Sequence, residues 1–311
     1  MKFEITILGC GSAVPTSKRN CAAQVLNVLE RYFLIDCGEG TQYQMRRFGI
    51  PYNRINNIFI SHLHGDHFFG LVGFLSTLSL QGRRGDMHIY ADSRLQKILD
   101  FTFETLNTKL TYKVIYHNLS RKEELIYEDN ILTIIAFPVS HRYDAPCTAF
   151  AFKEKERART IRKDMADAWN VPIAFLQYLK KGQDFVTPEG ALIENSRLTY
   201  PPVPCRSYTY ITDTLCKNKF LPYAENVDLL YHEATFGKEF FDLAKKTYHS
   251  TAEQAANFAK KAGAKKLIIG HFSSRYPQAE CLLEETKDIF PNTFVCHDGD
   301  VFEIKQPKRY I

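Results

Sequence analysis

The stretch that decides the fold is His62-Leu63-His64-Gly65-Asp66-His67, which directly follows the apolar segment Asn57–Ser61. It places three imidazole groups and one carboxylate within six residues. Neutral imidazole and carboxylate groups are good ligands of divalent transition metals. Titratable groups at this density also need a compensating cation when they fold together. The stretch therefore predicts a metal site on the loop after a strand, where α/β proteins bind their ligands.

One such stretch cannot complete the coordination shells of two metal ions, so further ligands are expected downstream. Three candidates each follow a predicted strand, which would bring them to the same edge of the fold as His62. They are His141 after Ile131–Val139, Asp213 after Ser207–Thr212, and His271 after Lys266–Gly270. Taken singly, each is also compatible with an ordinary polar residue at a strand end.

The rest of the pattern predicts an α/β fold, because strand-like and helix-like segments alternate along the chain. Further predicted strands are Phe3–Leu8, Ala23–Leu29, Arg31–Cys37, Met87–Ala91, Tyr112–His117 and Asp228–Glu233. Predicted helices are Glu39–Phe48, His67–Gln81, Leu95–Asn107 and Ala252–Lys261. The sequence contains no internal repeat, and we expect one catalytic domain over residues 1–311.

Residues 154–204 interrupt this alternation and are predicted to form an insertion rather than an independent domain. The segment opens within the charge-dense stretch Lys153–Lys163, continues into apolar Val171–Leu179, and closes on the proline-rich Tyr200–Pro204. Its basic residues suit contacts with phosphate groups. A solvated, mixed-charge surface is the alternative, since Glu154, Glu156 and Asp164 lie among them.

Composition places the chain among ordinary globular proteins, with 311 residues, 45% hydrophobic and 24% charged. The net charge of +5 permits a polyanionic partner without requiring one. None of the eight cysteines forms a CxxC pair, which predicts reduced thiols and a cytoplasmic location. The first residues predict a strand rather than a signal peptide, and no apolar stretch is long enough to predict a membrane span.

The sequence resembles the metallo-β-lactamase superfamily and, within it, the ribonuclease Z family of transfer-RNA 3′-processing endonucleases. The resemblance covers nearly the whole chain. Besides the histidine-rich stretch, it rests on Leu8-Gly9-Cys10-Gly11-Ser12-Ala13-Val14-Pro15, Leu34-Ile35-Asp36-Cys37-Gly38-Glu39-Gly40-Thr41-Gln42, Tyr231-His232-Glu233-Ala234-Thr235, His249-Ser250-Thr251-Ala252 and Gly270-His271-Phe272-Ser273-Ser274-Arg275-Tyr276. It implies an αβ/βα four-layer sandwich with an inserted, protruding arm at about 154–204.

The resemblance also implies two zinc ions per chain and assigns a ligand set to each. The first ion would take His62, His64, His141 and Asp213. The second would take Asp66, His67, Asp213 and His271. Asp213 would therefore bridge the two ions.

The same resemblance suggests how a phosphodiester would be cut. Asp66 would orient the attacking water or accept its proton. His249 would protonate the leaving oxygen, with Glu233 holding its imidazole; on residue type alone, His249 could equally be a capping or core histidine and Glu233 part of a surface ion pair. The expected products are a 3′-hydroxyl on the transfer RNA and a 5′-phosphate on the removed trailer.

The resemblance implies that the substrate is precursor transfer RNA. It also implies that the protein assembles as a homodimer. Arg19, Asn20 and Arg275 are candidate RNA contacts. The chain departs from the family pattern twice: Ser17 takes the place of a lysine in the loop Pro15–Asn20, and Val171–Phe175 lacks the Gly-Pro pair of the arm.

Two other functions are compatible with parts of the pattern. A small-molecule phosphodiesterase or sulfatase-like hydrolase would use the same metal ligands without needing the arm. A catalytically inactive RNA-binding relative would be expected to lose ligands, whereas this chain retains all of the candidates.

Overall fold

The computed structural model describes residues 2–306 and contains eighteen strands in that range, most of them in two seven-stranded sheets. In chain order the strands are β1 (Phe3–Gly9), β2 (Ala23–Val28), β3 (Arg31–Ile35), β4 (Ile55–Phe59), β5 (Met87–Ala91), β6 (Val114–Asn118), β7 (Glu124–Glu128), β8 (Leu132–Pro138), β9 (Thr148–Glu154), β10 (Thr160–Ile161), β11 (Phe185–Val186), β12 (Leu192–Ile193), β13 (Thr199–Tyr200), β14 (Ser207–Ile211), β15 (Leu229–Glu233), β16 (Leu267–Gly270), β17 (Thr293–Val295) and β18 (Val301–Glu303). The first sheet has the order β18-β1-β2-β3-β4-β5-β6, and the second β17-β16-β15-β14-β9-β8-β7.

Short helices connect and cover the strands. They are α1 (Thr41–Arg47), α2 (Gly65–Phe68), α3 (Leu71–Leu80), α4 (Arg94–Thr105), α5 (Lys163–Ala168), α6 (Leu176–Leu179), α7 (Asn195–Leu198), α8 (Phe241–Thr247), α9 (Ala252–Ala262) and α10 (Glu280–Glu284). 3-10 helices lie at Tyr52–Arg54, Ile173–Phe175, Asn218–Tyr223 and Lys238–Phe240.

The two sheets pack face to face because their strands are apolar on both sides. Along β1, Phe3, Ile5 and Ile7 enter the core between the sheets, whereas Leu8 faces the core beneath α1, α3 and α4. The Phe59 ring of the first sheet lies 5.8 Å from the Phe152 ring of the second. On the far side of the second sheet, α9 packs against β15 and β16. The layer order is helix, sheet, sheet, helix, which confirms the predicted four-layer αβ/βα sandwich.

Strand direction brings the predicted ligands to one rim. β3 to β6 run parallel, and so do β14 to β17. Since β9 is antiparallel to both β14 and β8, β8 points the same way as β14. The sheets meet at this rim, where the Thr148 amide donates to the Ser61 carbonyl at 2.9 Å. The loops after β4, β8, β14 and β16 therefore converge there.

The helix expected over His67–Gln81 is in fact two helices, α2 and α3, with a break at Phe69–Gly70. The Gly70 amide donates to the carbonyl of Cys37 at 2.9 Å instead of continuing a helical bond. The His67 carbonyl in turn accepts from the Cys37 amide at 2.7 Å. The loop after β3 therefore competes for the backbone groups of the helix. Periodicity cannot reveal that competition, because the loop is distant in sequence.

Residues between β9 and β14 form a substructure with its own small core. It contains two two-stranded sheets, β10 with β13 and β11 with β12, and the helices α5 to α7. Its core is formed by buried Leu179, Phe185, Ile193 and Leu198. Its two ends lie side by side, because the Glu154 amide donates to the Arg206 carbonyl at 2.9 Å.

Candidate metal centre and catalytic site

Three imidazoles and one carboxylate converge at the end of β4. His62 Nε2 lies 2.9 Å from His64 Nδ1, and His141 Nε2 lies 3.4 Å from the same atom. Asp213 adds Oδ2, which is 3.5 Å from His62 Nε2. The structure therefore brings together the four residues that the family resemblance assigned to a first metal site.

A second cluster shares Asp213 with the first. His67 Nε2 and His271 Nε2 lie 3.3 Å apart, and Asp66 Oδ2 is 3.5 Å from the former and 3.6 Å from the latter. Asp213 turns its other oxygen, Oδ1, to within 3.3 Å of His67 Nε2 and 3.2 Å of His271 Nε2. The two oxygens of Asp213 thus face different clusters, as a bridging ligand requires.

These donors fit metal ions of zinc size and chemistry. Zinc–nitrogen bonds of about 2.0–2.1 Å at tetrahedral angles place neighbouring donors about 3.3 Å apart, and the donor separations here run from 2.9 to 3.6 Å. Burial lowers the pKa of His62, His64 and His141, which favours the neutral, ligating form. At the second cluster burial opposes charge on His67, but Asp213 and the nearby carboxylates raise its pKa well above its usual value. Positive charge is therefore favoured at this cluster.

A second set of groups orients the ligating rings. Asp36 Oδ2 lies 2.8 Å from His67 Nδ1, and Thr235 Oγ1 lies 2.9 Å from His271 Nδ1. The Tyr248 carbonyl is 3.2 Å from His141 Nδ1, and Ser61 Oγ is 3.1 Å from His62 Nδ1. Each contact occupies one ring nitrogen and leaves the other facing the cluster. None of these roles was predicted from the sequence, although Asp36 and Thr235 lie in two of the quoted motifs.

His249 and Glu233 form a hydrogen-bonded pair beside the clusters. His249 Nδ1 lies 3.0 Å from Glu233 Oε1, and Glu233 is fully buried. The amides of Thr214 and Thr235 donate to the same carboxylate at 2.8 and 3.1 Å. Burial opposes the charged form of the histidine, but Glu233 raises the pKa of His249 to about 9. The contact with Glu233 therefore favours the protonated form of His249.

Local backbone geometry fixes the position of His249. Tyr248 ends α8 in the left-handed conformation, with φ of 63°, which turns the chain sharply before His249. Two residues later Thr251 caps α9 through a reciprocal capping box with Gln254. The histidine is thus held between a helix end and a helix start.

A cleft of about 370 Å³ opens over the two clusters. Its walls come from the loop after β1, the loop after β3, the start of α2 and the loops that carry Asp213, His249 and His271. His64 and Asp66 line it directly. A bound anion would therefore meet the metal donors and His249 in one space.

The three candidate RNA contacts lie in different environments. Arg19 is buried and donates to the Tyr276 carbonyl at 2.7 Å. The Asn20 amide and side chain both donate to Asp298, at 2.7 and 2.9 Å. Arg275 is exposed, and its guanidinium lies 5.7 Å from the ring centres of both Phe236 and Phe240. Of the three, Arg275 alone presents its charge to solvent near the site.

Comparison with known proteins identifies the family. The ribonuclease Z of Bacteroides fragilis is 45% identical to this chain over 299 residues, which cover 96% of this chain and 98% of the relative. The chain belongs to the ribonuclease Z family. The resemblance noted in the sequence is thereby confirmed, and with it the class of enzyme, an endoribonuclease-type phosphodiester hydrolase.

Solved structures extend the comparison to the fold. Human tRNase Z, short form, superimposes with a TM-score of 0.70 at 27% identity, over 98% of this chain and 100% of the human chain. The metallo-β-lactamase fold protein YhfI from Bacillus subtilis superimposes with a TM-score of 0.68 at 19% identity, over 97% of this chain and 100% of that protein. The second likeness concerns the fold alone.

A family model described as Anti-Pycsar protein Apyc1 also matches, over residues 3–158. This half contains strands β1 to β6 of the first sheet, the stretch His62–His67 and His141. Asp213, Glu233, His249 and His271 lie beyond the match. The match to the ribonuclease Z of Bacteroides fragilis, by contrast, extends over 96% of the chain and so spans both halves.

Proposed function

We propose that this protein is a zinc-dependent endoribonuclease that removes the 3′ trailer from transfer-RNA precursors. The observation that carries the proposal is the His249–Glu233 pair, held beside two clusters that share Asp213. The names of the ribonuclease Z relatives and of human tRNase Z support transfer RNA as the substrate. The donor set supports zinc, since imidazole and carboxylate are its usual partners.

The residues His62, His64, His141, Asp213, Asp66, His67 and His271 would hold two zinc ions, and such ions would lower the pKa of the attacking water and offset negative charge on the phosphate oxygens. Asp66 is oriented by the Ala13 amide, which donates to its Oδ2 at 2.7 Å. Burial opposes the ionised form of Asp66, but the neighbouring His67 and His271 lower its pKa. Its carboxylate therefore remains an acceptor, suited to orienting the water or taking its proton.

His249 supplies the proton that the leaving group needs. In the proposed reaction the bond between phosphorus and the 3′-oxygen of the upstream ribose breaks, and His249 donates a proton to that oxygen. Glu233 keeps the imidazole charged and oriented for the transfer. The transfer RNA then ends in a 3′-hydroxyl, and the trailer begins with a 5′-phosphate.

In this proposal residues 154–204 form the inserted arm, and the arm binds the transfer RNA at a point distant from the cleft. Support comes from the basic residues along its first part and from its small separate core, which lets it project as a unit. A homodimer and a cytoplasmic location are further parts of the proposal and rest on the family resemblance. Among residues 2–306, no helix has the length and apolar character of a membrane span.

The decisive test is incubation of the zinc-loaded protein with transfer-RNA precursors, with and without an encoded CCA end. Wild type should release the trailer, whereas His249→Ala should be slower by about 10²–10⁴-fold, the usual contribution of acid–base catalysis. Asp66→Ala should be slower still, because it removes a metal donor as well as the group that orients the water. Mass analysis should find a 3′-hydroxyl and a 5′-phosphate. A 2′,3′-cyclic phosphate would contradict the mechanism, and intact precursor would contradict the proposed function.

A further inference from the structure

Phe69 is an aromatic side chain left exposed at the mouth of the catalytic cleft. Its side chain is 65% exposed and lines the same cavity as His64 and Asp66. It lies only two residues after His67, in the break between α2 and α3. Single exposed aromatic residues are common on protein surfaces, and what distinguishes Phe69 is that its ring lines the same cleft as the candidate metal donors.

The ring of Phe69 is held in place by its neighbours. The Phe69 amide donates to the Gly65 carbonyl at 3.0 Å, and the Phe68 ring contacts Phe69 edge-on at 4.9 Å. The ring covers the backbone of Gly65 so closely that a Cβ there would lie 2.1 Å from a ring carbon. Gly65 lies between His64 and Asp66, so the ring is fixed directly against the segment that carries the metal donors.

A second apolar wall faces the same cavity. Val14, which is 53% exposed, and Pro15 line the cleft together with Phe69. Their loop is anchored to the site, since the Ser12 amide donates to the Phe272 carbonyl at 3.1 Å and the Ala13 amide to Asp66. The charged centre of the cleft is thus flanked by apolar surface on two separate loops. This combination suits a phosphate joined to a flat, apolar group.

We propose that Phe69 stacks on the nucleobase of a nucleotide that flanks the scissile phosphate, with Val14 and Pro15 bounding the same base slot. The inference rests on the proposed endoribonuclease function, and it assigns to Phe69 the positioning of the RNA substrate. Stacking on an aromatic ring is tolerant of base identity, because every base presents a π-face. Phe69 therefore aligns the backbone for attack without selecting a sequence.

The test is a double-mutant cycle that combines a variant of the protein with altered substrates. A transfer-RNA precursor is prepared with its normal bases, with an abasic ribose just before the cleavage site, and with an abasic ribose just after it. On the normal substrate, Phe69→Ala should lower kcat/KM by about 5- to 150-fold, the scale of removing one base–aromatic stack. On one of the two abasic substrates, the decrease in kcat/KM caused by Phe69→Ala should shrink to less than about twofold. The position of the missing base in that substrate shows on which side of the phosphate the stacked base lies.

Two matched variants separate a loss of stacking from a loss of folded structure. Phe69→Trp should retain near wild-type kcat/KM, because the stacking face is preserved. Phe101→Ala removes a ring of similar exposure, 70%, from α4 and should leave all three substrates unaffected. Zinc content and thermal unfolding of Phe69→Ala should match wild type.

The inference is overturned if Phe69→Ala cleaves the normal precursor as fast as wild type. It is also overturned if the decrease is equally large on all three substrates, since Phe69 would then act on the fold and not on a base. Either result is distinct from a failure of the proposed function, in which wild type itself would not cleave the precursor.

Discussion

Oδ2 of Asp36 lies 2.8 Å from Nδ1 of His67, in a fully buried contact between the loop after β3 and the start of α2. The same carboxylate accepts from the Tyr210 hydroxyl at 2.8 Å and from the Ser61 amide at 2.7 Å. Because a carboxylate can only accept, the neutral His67 ring carries its proton on Nδ1 and directs Nε2 toward the second cluster. Asp36 therefore sets the orientation of a candidate metal ligand without belonging to the candidate ligand set.

We predict that Asp36→Asn weakens metal binding at the second cluster by about 10- to 100-fold, the usual effect of losing a partner of a ligating histidine. Titration with a zinc chelator should remove one zinc from the variant at lower chelator concentration than from wild type. Asp288→Asn, the same substitution at an exposed carboxylate outside the site, serves as the charge control and should leave the titration unchanged. Equal zinc retention by Asp36→Asn and wild type would contradict the role assigned to Asp36.

Glu233→Gln should shift the alkaline limb of the pH profile. A general acid is active while protonated, so wild-type kcat/KM should fall as the pH rises through the pKa of His249, about 9. Without the negative charge of Glu233, burial lowers that pKa, and activity should be lost at lower pH. The check is kcat/KM between pH 6 and pH 10 at saturating zinc. A limb that stays in place in Glu233→Gln would show that another group carries the proton.

Replacing the inserted arm should separate RNA recognition from chemistry. The ends of the arm adjoin at Glu154 and Arg206, whose side chains form a buried bidentate pair with Nε–Oε2 of 3.0 Å and Nη2–Oε1 of 2.7 Å. Residues 157–204 can therefore be exchanged for a short glycine-serine linker with this pair retained. Cleavage of transfer-RNA precursor should fall about tenfold for each charge-assisted hydrogen bond between the arm and the RNA that the exchange removes.

The matched substrate for the arm replacement is bis(p-nitrophenyl) phosphate, which is too small to reach the arm. Its hydrolysis should stay within about twofold of wild type, because the metal clusters remain intact. Equal decreases on both substrates would favour the alternative function, a small-molecule phosphodiesterase, with the arm acting only on the fold.

The candidate metal donors could be predicted from the sequence because each of them follows the end of a strand. His62, His141, Asp213 and His271 each follow a strand, and parallel strands end at one edge. That argument needs only the location of the strands, which alternating or continuous apolar segments reveal. The fold class followed from the same segments.

The groups that contact the candidate ligating histidines could not be predicted from the sequence, and the reason is physical. The Tyr248 carbonyl contacts His141 across 107 residues, and Thr235 contacts His271 across 36. Such contacts depend on how loops from two sheets pack, and a backbone carbonyl leaves no signature in residue type. Strands β7, β9, β10 to β13, β17 and β18 were missed as well; β10 to β13 have two residues each and β17 and β18 three, too few to show a period.

The helix break at Gly70 leads to a last prediction about stability. A Cβ at Gly70 would lie 2.3 Å from the Gly38 carbonyl oxygen, and that oxygen belongs to backbone that cannot easily move. Gly73, one turn further inside α3, has no neighbour closer to a Cβ than Gln42 Oε1 at 3.8 Å. Gly70→Ala should therefore lower the free energy of unfolding by about 1–3 kcal/mol through overpacking. Gly73→Ala should raise it by about 0.5–1 kcal/mol through helix propensity.

Urea unfolding of the two glycine variants, followed by circular dichroism, measures both changes in free energy. The opposite signs matter more than the magnitudes, because both variants add the same methyl group to the same short stretch of chain. Gly70→Ala should also lose zinc more readily, since a shift of the loop after β3 moves Asp36 away from His67. If both variants were stabilised alike, the contact between Gly70 and the loop would not be what divides α2 from α3.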